Sequence, residues 1–155
     1  MTRLVRVAGE SMAPTFRSSD LLLTRPAGRA SASLSLSRGA IAVFRKDGLR
    51  MVKRVVGLPG DIVELEAGRL FVNGESVDGR GRVRGAHLET WLVPEANYFM
   101  AGDNAAASDD SRVWEQPFIP IKSIDAIVSR RLGSPLRLGW TTGRRRSAAA
   151  GLAAR

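Results

Sequence analysis

The feature that most constrains this chain is the spacing of its apolar residues, which come in short β-branched runs separated by glycine, proline and aspartate. Such runs are typical of strands and turns, because an amphipathic helix needs a longer stretch with a different period. We therefore predict a mostly β fold. The predicted strands are 4–7, 20–24, 40–44, 51–56, 62–66, 70–72, 98–101 and 124–131.

One hairpin is the best defined local prediction. The strands 62–66 and 69–72 are separated by Ala67 and Gly68, and glycine allows the positive φ that a tight turn requires. The small, polar stretch 26–38 is predicted to be a loop, with a short helix as the alternative. The basic, glycine-containing stretch 77–89 is predicted to be an exposed excursion from the β core.

Length and composition limit the possible architectures. At 155 residues the chain is long enough for one domain with its own core. It has no cysteine, which excludes disulfides and thiolate metal sites, and its single histidine, His87, makes a histidine-rich metal site a poor prospect. We expect neither a metal nor an organic cofactor. Residues 1–140 are assigned to the folded domain, and residues 141–155 to a basic, disordered tail.

The formal net charge of +9 comes partly from the C-terminal end. The last twelve residues contain four arginines and no acid, so the remainder has 20 basic and 15 acidic residues. A basic surface favours anionic lipid head groups or nucleic acid without distinguishing them, and a merely solvated surface is the commoner outcome. No stretch approaches the ~20 apolar residues of a membrane-spanning helix, and no apolar run of a secretory signal follows the basic N-terminus.

Three segments carry residues suited to catalysis. Ser11 lies in GESMAPT (9–15), Lys53 begins KRVVGLPGD (53–61), and the polar run GDNAAASDDSR spans 102–112. A serine hydroxyl becomes a useful nucleophile when a base removes its proton, and a lysine can be that base if burial lowers its pKa from about 10.4. Taken singly, each segment has a simpler explanation as a turn serine, a solvent-facing lysine or a polar loop.

In this order, the three segments resemble the type I signal peptidases, which are serine/lysine membrane proteases that remove leader peptides from exported proteins. The resemblance covers about residues 4–131 and includes Asp20 and RGAIAVF (38–44), where the family usually has an aspartate in place of Ala40. It implies a signal-peptidase-like antiparallel β-barrel or sandwich with few short helices, which makes residues 1–140 a catalytic domain. It also implies cleavage after small residues spaced as Ala-x-Ala.

The resemblance assigns roles to individual residues. Ser11 would be the nucleophile, Lys53 the general base, and Ser108 the residue that orients the lysine through a hydrogen bond. Two supporting ion pairs would fix the loop: Asp110 with Arg112, and Asp103 with Arg54. Three apolar residues are candidates for the walls of the substrate pockets, or are ordinary core residues: Val7, Leu22 and Val52. The backbone N–H of Ser11 would donate to the oxyanion, and Gly9 stands where some relatives have a serine hydroxyl.

The resemblance also has implications for partners and location. The substrate would be a precursor protein, the contact with an anionic membrane surface would be peripheral, and no nucleic acid is expected. Typical relatives carry transmembrane helices ahead of the serine, whereas ten residues precede Ser11 here. A membrane-associated location with the catalytic face outside the cytoplasm is therefore implied by the resemblance alone.

Alternative hypotheses remain open. One is a specialised protease that matures a single dedicated precursor. Another is a non-catalytic basic β-domain that binds anionic lipid or nucleic acid, in which Ser11 and Lys53 are idle. An α/β-hydrolase with His87 as base is disfavoured because Ala13 replaces the last glycine of the nucleophile elbow. A self-cleaving repressor-type protease is disfavoured too, because it needs a cleavage segment well upstream of the serine and ten residues precede Ser11 here.

Overall fold

The computed structural model describes residues 2–27, 36–134 and 152–154. The strands in these residues are β1 (Arg3–Val7), β2 (Leu21–Pro26), β3 (Ile41–Lys46), β4 (Leu49–Gly57), β5 (Ile62–Glu66), β6 (Arg69–Val72), β7 (Glu75–Ser76), β8 (Leu88–Leu92), β9 (Asn97–Ala101), β10 (Phe118–Pro120), β11 (Ile124–Gly133) and β12 (Leu152–Ala154). Two single-turn 3-10 helices accompany them, Ala105–Ala107 and Ile121–Ser123. The predicted mostly β fold with few short helices is confirmed.

The strands form two sheets. The larger has the order β10-β9-β4-β3-β11-β2-β1-β12, and the smaller has the order β7-β6-β5-β8. Among the described strands, β1 and β12 pair in parallel, and all the other pairs are antiparallel. Neighbouring strands of the larger sheet are often distant in sequence, so this sheet brings together side chains from separate parts of the chain.

Two tight turns set the register of the hairpins. The predicted turn between β5 and β6 is present, with positive φ at Ala67 (49°) and Gly68 (75°). The turn between β3 and β4 has the same form, with φ of 50° at Asp47 and 77° at Gly48, and the sequence analysis did not identify it. Positive φ at both central residues matches the twist of the flanking strands. The second turn fixes the register of β4, the strand that carries Lys53.

The eight predicted strands correspond to β1–β6, β9 and β11, with ends that differ by at most two residues. Four strands were not predicted: β7, β8, β10 and β12. Of these, β7 and β10 are too short to show a period. The strand β8 is mostly exposed, so its apolar residues do not alternate with polar ones. The loop predicted over 26–38 lies mostly outside the described residues. The excursion predicted over 77–89 has no strand until β8 begins at Leu88.

The C-terminal segment differs from the expectation over three residues. Leu152–Ala154 forms β12 beside β1, where disorder was expected across 141–155. Pairing with a sheet edge satisfies backbone groups without bulky side chains, and Ala154 is fully buried. Residues 141–151 and 155, like the proposed boundary at residue 140, lie outside the described residues.

Three buried apolar clusters support the sheets. One surrounds Phe44, a second surrounds Val52, and the third lies against the smaller sheet around Val63 and Phe99. Gly57, at the end of β4, lies very close to this third cluster. A Cβ on Gly57 would lie 2.7 Å from Val63 Cγ2 and 2.9 Å from Phe99 Cβ, so glycine is required there. The strand that carries the candidate base therefore also packs against the smaller sheet, which limits its freedom to shift.

Candidate active site

Ser11 and Lys53 meet beside the larger sheet. Ser11 lies in the turn that follows β1, and Lys53 lies in the middle of β4. Lys53 Nζ donates a hydrogen bond of 2.7 Å to Ser11 Oγ. Only 2% of the surface of Lys53 is exposed, although lysine is rarely buried. The geometry lets a neutral lysine nitrogen accept the proton of the serine hydroxyl.

The surroundings of Lys53 lower its pKa. Burial is the largest influence, because desolvation disfavours the ammonium form. The carboxylates of Asp110 and Asp109 oppose it by raising the pKa, and the guanidinium of Arg112 adds to the lowering. The net direction is downward, so Lys53 is deprotonated at a lower pH than a free lysine, as a general base requires.

The turn that holds Ser11 is tied to the loop after β9. The backbone N–H of Asn104 donates to the Ser11 carbonyl oxygen at 2.9 Å, and Asn104 Nδ2 donates to the Glu10 carbonyl oxygen at 3.2 Å. Thr15 Oγ1 donates to Asp103 Oδ2 at 2.6 Å. Neither Thr15 nor Asn104 was predicted to have a role. Both could have been suggested from the sequence, because they are polar residues inside the segments that contain Ser11 and Asp103.

The ion pair between Arg54 and Asp103 has two parallel hydrogen bonds. Arg54 Nε donates to Asp103 Oδ1 at 2.8 Å and Nη2 to Oδ2 at 2.6 Å, while Nη1 donates to the Gly39 carbonyl oxygen at 2.8 Å. Burial alone would raise the pKa of Asp103, but the hydrogen bonds from Arg54 and Thr15 outweigh it and lower the pKa. Because Arg54 directly follows Lys53, this pair fixes the candidate base relative to the loop after β9, to which the Ser11 turn is hydrogen-bonded.

The second ion pair, between Asp110 and Arg112, is more deeply buried. Asp110 has no exposed surface, and it accepts hydrogen bonds from Arg112 Nε at 2.9 Å, Arg112 Nη2 at 2.5 Å and the Gly102 backbone N–H at 2.8 Å. Arg112 Nη2 also donates to the Gly102 carbonyl oxygen at 3.1 Å. Burial would raise the pKa of Asp110, but these bonds and one from Ser108 outweigh it and lower the pKa. Both predicted ion pairs are therefore present.

Ser108 is placed differently from the prediction. Its hydroxyl donates to Asp110 Oδ2, and within the described residues the hydrogen-bond partner of Lys53 Nζ is Ser11. The buried carboxylate of Asp110, two residues away, is a stronger acceptor for the hydroxyl than a neutral lysine nitrogen would be. Gly102 allows this arrangement, because a Cβ there would overlap both the Ser108 side chain and the Ser11 carbonyl oxygen. Ser108 therefore packs beside the serine turn, and it is connected to Lys53 through the charge of Asp110.

The dyad opens onto a cleft of about 470 Å³. The cleft is lined by Ala8, Gly9, Glu10, Ser11, Leu49, Met51, Lys53, Ala107 and Asp109. The predicted pocket residues Val7, Leu22 and Val52 lie together in one cluster of buried side chains, which also contains Met12 and Ala154. In this structure the three residues are buried beside the dyad, in the cluster that Ala154 completes, and they do not line the open cleft.

The Ser11 turn also presents a free donor. Within the described part of the chain, the Ser11 backbone N–H has no hydrogen-bond acceptor, while its carbonyl oxygen is held by Asn104. Gly9 has φ of 82°, and a Cβ there would meet no atom within 4 Å. An N–H without an acceptor, directly beside the nucleophilic hydroxyl, can donate to a developing oxyanion.

Three further observations concern other kinds of site. The side chain of His87 is 85% exposed, in the loop before β8, and its Nε2 lies 4.0 Å from Glu89 Oε1. The antiparallel fold and this position make the α/β-hydrolase hypothesis wrong. In residues 2–27, 36–134 and 152–154, no group of three potential ligands among His, Cys, Asp and Glu could hold a metal. The same residues contain no helix long and apolar enough to cross a membrane.

The chain is similar to several known proteins. A family model described as "Signal peptidase, peptidase S26" matches residues 1–132. The chain is 36% identical to signal peptidase I of Pseudomonas fluorescens, over 54% of this chain and 41% of that protein. It is 34% identical to signal peptidase I S of Bacillus subtilis, over 68% of this chain and 64% of that protein. It thus spans less than two thirds of either relative. A crystal structure of a signal peptidase I from Enterococcus faecalis is similar with a TM-score of 0.49 and 29% identity, over 61% of this chain and 97% of that one.

Proposed function

The chain belongs to the signal peptidase family, peptidase S26, and we propose that it is a serine endopeptidase that removes leader peptides from exported precursor proteins. The observation that carries the proposal is the hydrogen bond of 2.7 Å between Lys53 Nζ and Ser11 Oγ. A buried lysine that has a lowered pKa and is hydrogen-bonded to a serine hydroxyl has the properties of a general base.

The proposed reaction follows from these two groups. Neutral Lys53 accepts the hydroxyl proton while Ser11 Oγ bonds to the scissile carbonyl carbon, and the carbonyl oxygen gains negative charge near the Ser11 backbone N–H. The lysine ammonium then protonates the leaving amine as the C–N bond breaks, which leaves an acyl group on the serine. Water activated by the same lysine hydrolyses this ester, releases the carboxylate product and restores both side chains.

The remaining polar residues position the dyad in this proposal. Arg54 with Asp103 ties β4 to the loop after β9, and Asp110 with Arg112 holds that loop in place. Ser108 helps to position this loop through its hydrogen bond to Asp110. Their role is geometric and electrostatic, because a misplacement of about 1 Å between nucleophile and base can reduce a rate by about 10²-fold.

The finer assignments are also proposals. The substrates would be precursors with small residues at Ala-x-Ala sites, and the protein would contact an anionic membrane surface peripherally, with its catalytic face outside the cytoplasm. Ile62 and Leu92 support such a contact, because they pair across β5 and β8 with 46% and 65% of their surfaces exposed. The proposal includes no nucleic acid partner.

The test is cleavage of a peptide with an Ala-x-Ala site, in detergent and in vesicles with anionic lipid. We expect Ser11→Ala and Lys53→Ala to lower kcat/KM by at least ~10³-fold, because each removes a group that the reaction requires. His87→Ala is the control and should retain the activity of the wild type. Circular dichroism should show that all three variants are folded.

Two results would count against the proposal. Activity retained in Ser11→Ala would show that another group is the nucleophile. No cleavage by the folded wild type under any lipid condition would favour the dedicated-precursor hypothesis or the non-catalytic basic domain. The latter predicts binding to anionic vesicles that weakens steeply with salt and is unaffected by Ser11→Ala.

A further inference from the structure

The C-terminal strand lies beside the candidate active site. In β12, Leu152 is opposite Val5 and Ala154 is opposite Val7, and the backbone N–H of Ala8 donates to the Ala154 carbonyl oxygen at 2.9 Å. Because β12 is parallel to β1, its carboxyl end points in the same direction as β1, toward the turn that holds Ser11. The strand also lies against β4, which carries Lys53. It therefore occupies the groove between the two strands that position the dyad.

The groove accepts a small side chain at one position. Ala154 has no exposed surface and belongs to the cluster that contains Val7, Met12 and Val52. Met12 directly follows Ser11, and Val52 directly precedes Lys53. The methyl group of Ala154 is thus packed among the chain neighbours of both dyad residues. In such a closed cluster a larger side chain would have to displace its neighbours.

We propose that residues 152–154 are a tethered pseudosubstrate, which occupies the groove between β1 and β4 and competes there with an extended peptide. The proposal rests on the proposed function for the identity of the competing peptide. The position of the strand rests on the structure alone. A peptide that adds to the edge of β1 in the same direction would use the same backbone N–H of Ala8 and the same apolar cluster around Val7, so it and β12 exclude each other.

The consequence is a reversible block of the groove. The segment belongs to the same chain, so its docking is intramolecular and does not depend on protein concentration. Apparent affinity for a competing peptide falls by the fraction of molecules whose groove is open. A segment docked nine-tenths of the time would therefore raise the apparent KM about tenfold and leave kcat unchanged.

The experiment uses the full chain with Ala154→Asp, which places a carboxylate in the apolar cluster and disfavours docking. Ala149→Asp is the matched control, because it adds the same charge to the C-terminal segment outside β12. Ala154→Pro is a second releasing variant that remains apolar and removes an N–H. Three quantities are compared: hydrogen exchange of the Ala8 amide, the KM for the Ala-x-Ala peptide, and the Kd of a fluorescein-labelled Gly-Leu-Ala-Ala-Arg peptide.

Both releasing variants should exchange the Ala8 amide faster than the wild type and the control, and should have a lower KM and a tighter Kd, each by about tenfold for a segment docked nine-tenths of the time. Equal exchange in all the proteins would overturn the docked strand. Faster exchange with unchanged KM and Kd would overturn the competition. If no protein cleaves the peptide, the proposed function fails, and the exchange and the Kd still decide whether the segment docks and competes.

Discussion

Two carboxylate–arginine clusters in this molecule have similar bonding, and their arginines differ in exposure. In the loop after β9, Asp110 has no exposed surface and is held by Arg112 at 2.5 Å. At the smaller sheet, Arg82 bridges Glu64 at 2.5 Å and the buried Glu66 at 2.9 Å, and 41% of the Arg82 side chain is exposed against 11% for Arg112. A buried charge that loses its partner remains desolvated, whereas an exposed one is rehydrated. Short distances alone therefore do not show which of the two clusters contributes more to stability.

The neighbours of each cluster extend the contrast. Asp110 also accepts from Gly102 and Ser108, both of which pack beside the Ser11 turn, so its loss would reach the dyad. Arg82 lies over the ring of Phe71, with 4.3 Å from its Cζ to the ring centroid, and covers an apolar side chain of the smaller sheet. One cluster organises the candidate active site, and the other stabilises a surface away from it.

The most severe test of this contrast is Asp110→Asn. We expect the free energy of unfolding to fall by about 3–5 kcal/mol at neutral pH, because the change leaves Arg112 buried without its counter-charge. Urea unfolding measures the effect, with Glu64→Gln as the matched control. Since the pKa of Asp110 is lowered by folding, its contribution is present above the ordinary aspartate pKa of about 3.9 and is lost as pH falls through the folded value. Equal losses in the two variants would mean that burial does not separate the clusters.

Gly102→Ala tests the packing beside the dyad. The added Cβ would overlap the Ser108 side chain and the Ser11 carbonyl oxygen, so we expect a loss of about 1–3 kcal/mol in stability and a decrease of at least ~10-fold in kcat/KM. Gly81→Ala is the control, because a Cβ at Gly81 meets no atom within 4 Å. Activity near that of the wild type in Gly102→Ala would show that the serine turn can move without consequence.

Arg54→Lys separates charge from geometry. The variant keeps the positive charge opposite Asp103 but loses the two parallel hydrogen bonds and the contact with the Gly39 carbonyl oxygen. We expect a loss of about 1–2 kcal/mol in unfolding experiments and a decrease in kcat/KM of about tenfold. Arg82→Lys, on the exposed cluster, should change neither quantity appreciably. If both lysine variants behave alike, charge rather than bidentate bonding holds the loop.

The fold was largely predictable from the sequence because its strongest signals are local. The turn residues Ala67 and Gly68, with β-branched runs on both sides, predict a hairpin without any knowledge of the rest of the chain. The strand β8 carried no such signal, because its side chains are mostly exposed. The strand β12 carried none either, because a run of small residues packs only where another segment has already formed a narrow groove.

The site was predictable in its residue types and less so in its contacts. Ser11 and Lys53 could be selected because few side chains can activate a hydroxyl in a chain with one histidine and no cysteine. The direction of the Ser108 hydroxyl could not be predicted, because it depends on how closely Gly102 approaches the serine turn. The closed cluster around Val52 could not be predicted either, since it depends on Ala154, far away in the sequence.

The smallest expected effect compares the two carboxylates that act on Lys53. Asp109 is exposed at the cleft and raises the pKa of Lys53, as the buried Asp110 does. Asp109→Asn keeps an acceptor for Trp114 Nε1, which donates to Asp109 Oδ1 at 2.9 Å. Removing the negative charge should lower the pKa of Lys53 further, so the acid limb of the pH profile of kcat/KM moves to lower pH. The shift should shrink as salt is added, because exposed charges are screened. Asp47→Asn, at a site with 82% of its side chain exposed, is the control. A shift to higher pH would contradict the role of Lys53 as the base.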